Sequence, residues 1–295
     1  MLEDTFVSGN VLTDHGADYD VDGDVLIATL DADVVTGALT FIQDGSFTYT
    51  PTLNYNGVVT FTYHATDAIS DSNIARITLT VIAQNDPPVA TDNAYTTLED
   101  TSVGGNVLTD DSGNGVDYDV ENDSFVAVLD TDVATGTLAL AGDGSFTYTP
   151  TLNYNGVATF TYQATGTVDN STPALVTITV TAVNDPPVAT DNVYTTLEDT
   201  PLSGNVLTDD TGDGIDNDVD GDTLTVALDT DVTTGTLALT NDGSFTYTPT
   251  IDYNGIVAFT YHTSDSHTNS NPATVTITIT AGQFVYLPLV LRTGR

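Results

Sequence analysis

The chain is 295 residues long and carries 42 Asp and Glu against three Lys and Arg, for a formal net charge of −39, with no Cys and no Trp. That balance excludes nucleic acid and anionic membranes as partners, since both demand basic surface, and makes cations the natural counterpart. With no Cys there are no disulfides or thiolate metal sites, and with no Lys there is no Lys–Asn isopeptide staple, so stability must come from burial, backbone pairing and bound ions.

In chain order the first landmark is an acidic loop, Asp18-Tyr19-Asp20-Val21-Asp22-Gly23-Asp24. Asp44-Gly45-Ser46-Phe47-Thr48-Tyr49-Thr50-Pro51 and Tyr55-Asn56-Gly57 follow it. Both motifs return twice, the first displaced by 99 residues each time (44 to 143 to 242). A period of that length is a whole small domain rather than a solenoid turn, so the chain reads as a tandem array of three domains of about 100 residues. Their expected limits are 1–84, 85–183 and 184–281, with a separate tail at 282–295. An array of similar modules supplies reach, stiffness and binding surface, whereas catalysis needs one singular site.

The periodicity within each repeat is that of strands. Phe146-Thr147-Tyr148-Thr149, Val157 to Tyr162 and Val176 to Thr181 alternate apolar residues with Thr, the pattern of a half-buried pleated sheet. Asp44-Gly45, Asp143-Gly144 and Asp242-Gly243 each sit between two such runs and predict hairpin turns. Roughly seven short strands per repeat fit an immunoglobulin-like sandwich, so the fold class is all-β. The junctions Asn85-Asp86-Pro87-Pro88-Val89 and Asn184-Asp185-Pro186-Pro187-Val188 follow a strand directly, and paired prolines stiffen them, which predicts an elongated rod.

The acidic loops carry the candidate chemistry. Repeat three matches repeat one with Asp216, Asp218, Asp220, Gly221 and Asp222, and repeat two carries Asp117, Asp119, Glu121 and Asp123, with Asn122 in place of Gly. Alternate carboxylates in a tight loop offer hard oxygens of the kind calcium takes. The candidate ligands are therefore Asp18, Asp20, Asp22, Asp24, Asp117, Asp119, Asp123, Asp216, Asp218, Asp220 and Asp222. An EF-hand is excluded, because Thr29 and Ala227 stand where its last Glu belongs and no helices flank the loop. Solvated turn-capping Asp residues are the plain alternative.

The run from Asn85-Asp86-Pro87-Pro88 through Leu98-Glu99-Asp100-Thr101 and Asn106-Val107-Leu108 to the acidic loop, Asp-Gly-Ser-Phe-Thr-Tyr-Thr-Pro and Tyr-Asn-Gly resembles the cadherin-like tandem repeats of bacterial surface adhesins. The resemblance covers residues 2–281. It implies immunoglobulin/cadherin-type sandwiches, an extracellular or cell-surface location, and a role in adhesion, matrix or filaments. It also implies calcium between modules, with Glu99, Asp100 and Asp86 at the first junction and Glu198, Asp199 and Asp185 at the second. The linker departs from the cadherin pattern, reading Asn-Asp-Pro-Pro where cadherins have Asn-Asp-Asn.

No catalytic constellation stands out. His64 and His262 share one strand position, where repeat two has Gln163, and His15 and His267 lie in loops that differ among repeats. The expectation is a non-enzymatic protein.

The two ends differ from the middle. Repeats two and three open with Asn85–Thr97 and Asn184–Thr196, which should form their first strand, while repeat one begins at Leu2 without a counterpart. The tail reads as unlike any other part of the chain, and its segment Phe284, Val285, Tyr286, Leu287, Pro288, Leu289, Val290, Leu291 is apolar on both faces, as in a strand buried on both sides. At eight residues it is too short to cross a bilayer, which takes about 20. The economical reading is strand donation: the tail of one subunit completes the first repeat of the next, giving a head-to-tail homopolymer. A calcium-stiffened stalk within a larger adhesin and a glycan-binding accessory module are the alternatives.

Overall fold

The computed structural model describes residues 1–282; Phe284, Val285, Tyr286, Leu287, Leu289, Val290 and Leu291, on which the strand-donation reading depends, lie outside the described residues. All 20 regular elements described are β-strands. By contacts the chain divides into two compact units, one of Met1–Thr97, Thr101–Thr151 and Val157–Thr179, the other of Leu98–Asp100, Leu152–Gly156 and the residues from Val180 onward.

Each repeat is a pair of sheets. Repeat one has β1 (Val7–Asn10), β2 (Ile27–Ala32), β3 (Ala38–Phe41), β4 (Ser46–Thr50), β5 (Gly57–Thr66) and β6 (Ala75–Val81), in the sheets β1-β4-β3 and β2-β5-β6. Repeat two runs through β7 (Asn93–Leu98), β8 (Val103–Asn106), β9 (Val126–Thr131), β10 (Thr137–Leu140), β11 (Ser145–Thr149), β12 (Gly156–Thr165) and β13 (Ala174–Thr181). Repeat three repeats that order as β14 (Asn192–Leu197), β15 (Leu202–Asn205), β16 (Thr225–Thr230), β17 (Thr236–Leu239), β18 (Ser244–Thr248), β19 (Gly255–Ser264) and β20 (Ala273–Thr280). Their sheets are β8-β11-β10 with β7-β13-β12-β9, and β15-β18-β17 with β14-β20-β19-β16.

The sandwich follows from the alternation. In β19 and β20 every second residue is buried, so Val257, Phe259, Tyr261, Val275, Ile277 and Ile279 form one core face. An aromatic pair bridges the two sheets in every repeat: Phe47–Phe61 at 5.2 Å, Phe146–Phe160 at 5.6 Å and Phe245–Phe259 at 5.6 Å between ring centres, all edge to face. The predicted Asp-Gly hairpins are present. Ser46 N–H donates to Asp44 Oδ1 at 2.9 Å, and Gly45 has φ +88°, where a Cβ would lie 2.6 Å from Asn10 Oδ1.

The difference between repeats lies at the first strand. β14 runs parallel to β20, from Asn192 opposite Val275 to Leu197 opposite Thr280. This strand is shorter than the segment expected to form it, because the residues before it are linker, held through the Val89–Tyr118 and Val188–Asn217 bridges. In repeat one only Met1–Glu3 reach the corresponding edge, through a parallel bridge between Leu2 and Ile82. Residues 1–282 therefore leave the outer edge of β6, the one away from β5, open over most of its length, and Ala75, Ile77 and Leu79 are only half-buried where Ala273, Val275 and Ile277 are at most 1% exposed. The linker contact is missing there too, and Tyr19, which holds the place of Tyr118, is 83% exposed.

Candidate cation sites

The structure sorts the loop carboxylates into distinct jobs. Asp117 and Asp216 turn inward, 7% and 6% exposed. Asp216 accepts hydrogen bonds from Thr190 N–H at 2.7 Å, Thr190 Oγ1 at 3.0 Å and Tyr261 Oη at 3.0 Å, and Asp117 is held the same way by Thr91 and Tyr162. Asp18 accepts from Tyr63 Oη at 2.9 Å. Burial pushes Asp117 and Asp216 above the ordinary carboxylate range, and burial together with the facing carboxylate pushes the Tyr63 hydroxyl up to about 12. These residues clamp the loop to the core strand rather than joining a carboxylate cluster.

The second Asp of each loop forms its turn. Oδ1 of Asp218 accepts from Asp220 N–H at 2.8 Å and Asp222 N–H at 3.4 Å; Asp119 does the same for Glu121 and Asp123, and Asp20 for Asp22 and Asp24. The third acidic residue meets the linker: Asp220 Oδ2 accepts from Asp185 N–H at 2.8 Å, and Glu121 Oε2 accepts from Asp86 N–H at 3.1 Å. Asp100 and Asp199 cap a different loop, accepting from Asn153 N–H at 2.8 Å and Asp252 N–H at 3.0 Å.

The glutamates complete the picture. Glu99, 4% exposed, accepts from Val183 N–H through Oε1, and Glu3, 3% exposed, accepts from Gln84 N–H in the same manner. Glu198 accepts from Gly282 N–H at 2.9 Å. In each of the first two, the other oxygen is buried without a partner. So are Oδ2 of Asp218, Oδ2 of Asp185, whose charge meets those of Glu99 and Asp218, and Oδ2 of Asp86, whose charge meets that of Glu3. Ligand atoms of Glu99, Asp185 and Asp220 lie within 4.8 Å of one another. Burial raises the Asp185 carboxyl above its usual range, and Asp220, Asp100, Glu99 and Asp218 add like-charge repulsion. Asp86 is raised in the same way, by burial and then by Glu121, Asp4, Glu3 and Asp119.

A buried carboxylate oxygen without a partner costs free energy that an unneutralised cluster cannot recover. Several such oxygens converging, all hard donors, fit a calcium-type ion. Glu99, Asp185 and Asp220, with Asp218 nearby, would hold it at the second junction, and Glu3, Asp86, Asp119 and Glu121 at the first. Of these, Glu3 and Glu121 were not among the sequence candidates, although Glu121 lies in a loop that was. The grouping implied by the resemblance is corrected: Glu99, at the end of β7, accepts from Val183 N–H and so meets Asp185 rather than Asp86, and Glu198 meets Gly282 rather than Asp185.

Asp222, Asp265 and His267 form a second group whose ligand atoms lie within 4.8 Å. Asp265 is 3% exposed, and its oxygens already accept from His267 N–H and Thr268 N–H, both at 2.6 Å, Asn184 Nδ2 at 2.8 Å and Thr268 Oγ1 at 3.0 Å. Those donors, Thr268 N–H foremost, hold its carboxyl well below the usual range and leave little for an ion. The strand histidines pair with carboxylates as well, His64 Nδ1 with Asp31 at 2.9 Å and His262 Nδ1 with Asp229 at 2.7 Å.

Paired sheets, a buried Glu at the end of the first strand and acidic loops against the linker define a tandem cadherin-like protein. The chain matches the bacterial cadherin-like domain over residues 1–83, 85–182 and 184–281, and it belongs to that family. Domains of this kind are extracellular, adhesion-type structural modules, typically non-enzymatic and generally calcium-binding. No curated protein matches the sequence. Among solved structures the chain is similar to mouse cadherin-23 EC22-24 at 17% identity and TM-score 0.53, covering 90% of this chain and 89% of that one. It is similar to the protocadherin gammaB4 extracellular domain at 14% identity and TM-score 0.53, covering 88% of this chain and 44% of that one. An endo-fucoidan hydrolase of glycoside hydrolase family 107 matches at 19% identity and a TM-score of 0.30, and the chain spans only 43% of its length, a likeness too low to bear on activity. No helix among the described residues is long and apolar enough to cross a membrane.

Proposed function

We propose that the chain is a structural subunit of an extracellular surface or matrix filament, assembled head to tail by addition of the 282–295 tail to repeat one of the next subunit. The observation that supports this reading is the unpaired edge of β6. In repeats two and three β7 and β14 cover that edge, β14 running parallel to β20, and repeat one leaves it open with Ile77 and Leu79 half-buried. An open edge with apolar flanks is a template for another chain, and a segment apolar on both faces is the strand such a slot accepts. Each apolar side chain buried in the slot contributes ~1.5–3 kcal/mol towards the cost of association. Deleting residues 282–295 is expected to abolish regular filaments in electron micrographs while leaving repeats two and three folded. Filaments that persist without the tail refute the assembly mechanism.

A second reading, a calcium-stiffened stalk, is favoured by the orphaned Glu99, Asp185, Glu3 and Asp86 oxygens. The two readings are compatible, one concerning joints within the chain and the other joints between chains. Calcium added to chelated protein is expected to raise its melting temperature, since an ion held only by the folded state stabilises it by mass action. An unchanged melting curve removes this reading.

A further inference from the structure

The open edge has a specific hole in it. In repeats two and three the first strand places a tyrosine over a glycine of the facing sheet. Tyr95 lies edge-on to Phe146 at 4.8 Å and donates to Asp110 Oδ2 at 3.0 Å; Tyr194 lies on Phe245 at 5.1 Å and donates to Asp209 Oδ2 at 3.0 Å. Gly105 and Gly204 make room, since a Cβ there would come within 2.5 Å and 3.0 Å of the tyrosine ring.

Repeat one builds the same cradle from Gly9, Phe47 and Asp14. Asp14 Oδ2 accepts from Asn10 N–H at 2.7 Å, as Asp110 does from Asn106 and Asp209 from Asn205. A Cβ on Gly9 would lie 2.9 Å from the Phe47 ring. No tyrosine among the described residues occupies the cradle. Phe47 is accordingly half-buried where Phe146 and Phe245 are 4% and 3% exposed, and Asp14 is exposed.

Strand register brings out a likeness between the tail and this strand that motif comparison does not. β14 reads Asn192-Val193-Tyr194-Thr195-Thr196-Leu197, and the tail reads Phe284-Val285-Tyr286-Leu287-Pro288-Leu289, sharing Val-Tyr-x-x-Leu. The tail departs at Phe284, which falls where the repeats carry a buried Asn. By the β14–β20 register, Leu2 and Met1 already hold the places of Leu197 and Thr196, so four positions remain open, opposite Ile77 to Thr80. Phe284 to Leu287 would fill those four. Pro288, with no N–H to donate, would end the ladder where Met1 begins. Charge agrees as well: Arg292 and Arg295 are two of the three basic residues in a chain of net charge −39.

We propose that the tail of a second copy lies parallel to β6 with Tyr286 seated in the Gly9–Phe47–Asp14 cradle and its hydroxyl donating to Asp14. This rests on the strand-donation reading and assigns it a direction, a register and a specificity residue.

The chain has no cysteine, so disulfide mapping in the full-length protein is free of background. One chain carries Thr78→Cys and the other Val285→Cys, at positions that correspond to the paired Thr276 and Val193. Mixed and oxidised, they are expected to give a covalent hetero-dimer identified by mass, while Thr80→Cys with Val285→Cys, two residues out of register, gives little. Tyr286→Phe is expected to raise the critical concentration for assembly roughly tenfold, the value of a hydrogen bond to a charged group, and Asp14→Asn to do so less. A link formed only within single chains carrying both cysteines overturns the second-copy assignment. Tail-dependent assembly with the register-shifted link, or with Tyr286→Phe neutral, overturns the cradle while leaving strand donation standing. Assembly that survives loss of the tail sinks strand donation itself.

Discussion

Repeats one and three carry last strands of the same kind, apolar residues alternating with Thr and Arg in β6 and with Thr in β20, yet they bury them differently. Val275 and Ile277 are 0% exposed, whereas Ile77 and Leu79, at the matching positions, are half-buried. The strands themselves do not account for this, because Val59, Phe61 and Tyr63 of β5 and Val257, Phe259 and Tyr261 of β19 are buried alike on the side away from the first strand. What differs is the neighbour. Burial in this fold depends on which strand lies alongside as much as on the residue buried, and a sandwich missing one strand keeps its core but leaves that edge wet.

The largest expected effect sharpens that contrast. Ile277→Ala removes a fully buried side chain and should destabilise repeat three by about 4 kcal/mol, whereas Leu79→Ala, at the open edge, should cost repeat one about 2 kcal/mol. The comparison belongs in protein lacking residues 282–295, with each repeat followed by native-state hydrogen exchange. Equal costs would mean that the β6 edge is covered by some other means, and the contrast would collapse.

A smaller effect tests the loop clamp. Asp216→Ala leaves the part-buried Thr190 N–H without its acceptor and removes a charged acceptor from Thr190 Oγ1 and Tyr261 Oη, which keep Gly214 O at 3.2 Å and Thr190 O at 3.0 Å, and should cost about 2–3 kcal/mol. Asp18→Ala removes one acceptor from the Tyr63 hydroxyl, which keeps Val11 O at 3.0 Å, so about 1 kcal/mol is expected. Chemical denaturation resolves the two. A full-sized penalty at Asp18 would show that repeat one grips its loop as firmly as repeat three despite lacking the linker threonine.

Much of this was legible in the chain. The alternation of apolar residues with Thr gave the strands, Asp-Gly gave the hairpins, and the absence of a counterpart to Asn184–Thr196 marked the edge that the structure leaves open. The acidic loops read as one class of residue, and that is where the sequence fell short. Whether an Asp clamps the core or faces the linker depends on partners far along the chain: Tyr261 lies 45 residues from Asp216, and Asp220 meets Asp185 across 35. Spacing within a loop carries no trace of that. Glu3 escaped notice because its buried state depends on Gln84, 81 residues away.

The smallest effect is the most selective, because it separates an ion site from a solvated acidic surface. The Asp185 carboxyl is raised by burial and by Asp220, Asp100, Glu99 and Asp218, so the folded state binds its proton more tightly than the unfolded chain does. The stability that follows from protonation is fully present below the unfolded value, about 4 for Asp, and is lost as pH rises through the higher folded value. In chelator, then, Asp185→Asn should melt above the unsubstituted protein at neutral pH, and the gap should close as pH falls through the carboxylate range. With calcium present the sign should invert at neutral pH, because the amide removes a charged ligand and the ion no longer offsets the repulsion among the remaining carboxylates. Lys or Arg partners would have pulled the carboxyl the other way, and no Lys is present in the chain. An advantage for Asn in both chelator and calcium would mean that the cluster repels itself and binds nothing, and that the buried oxygens of Glu99 and Asp185 are satisfied by solvent.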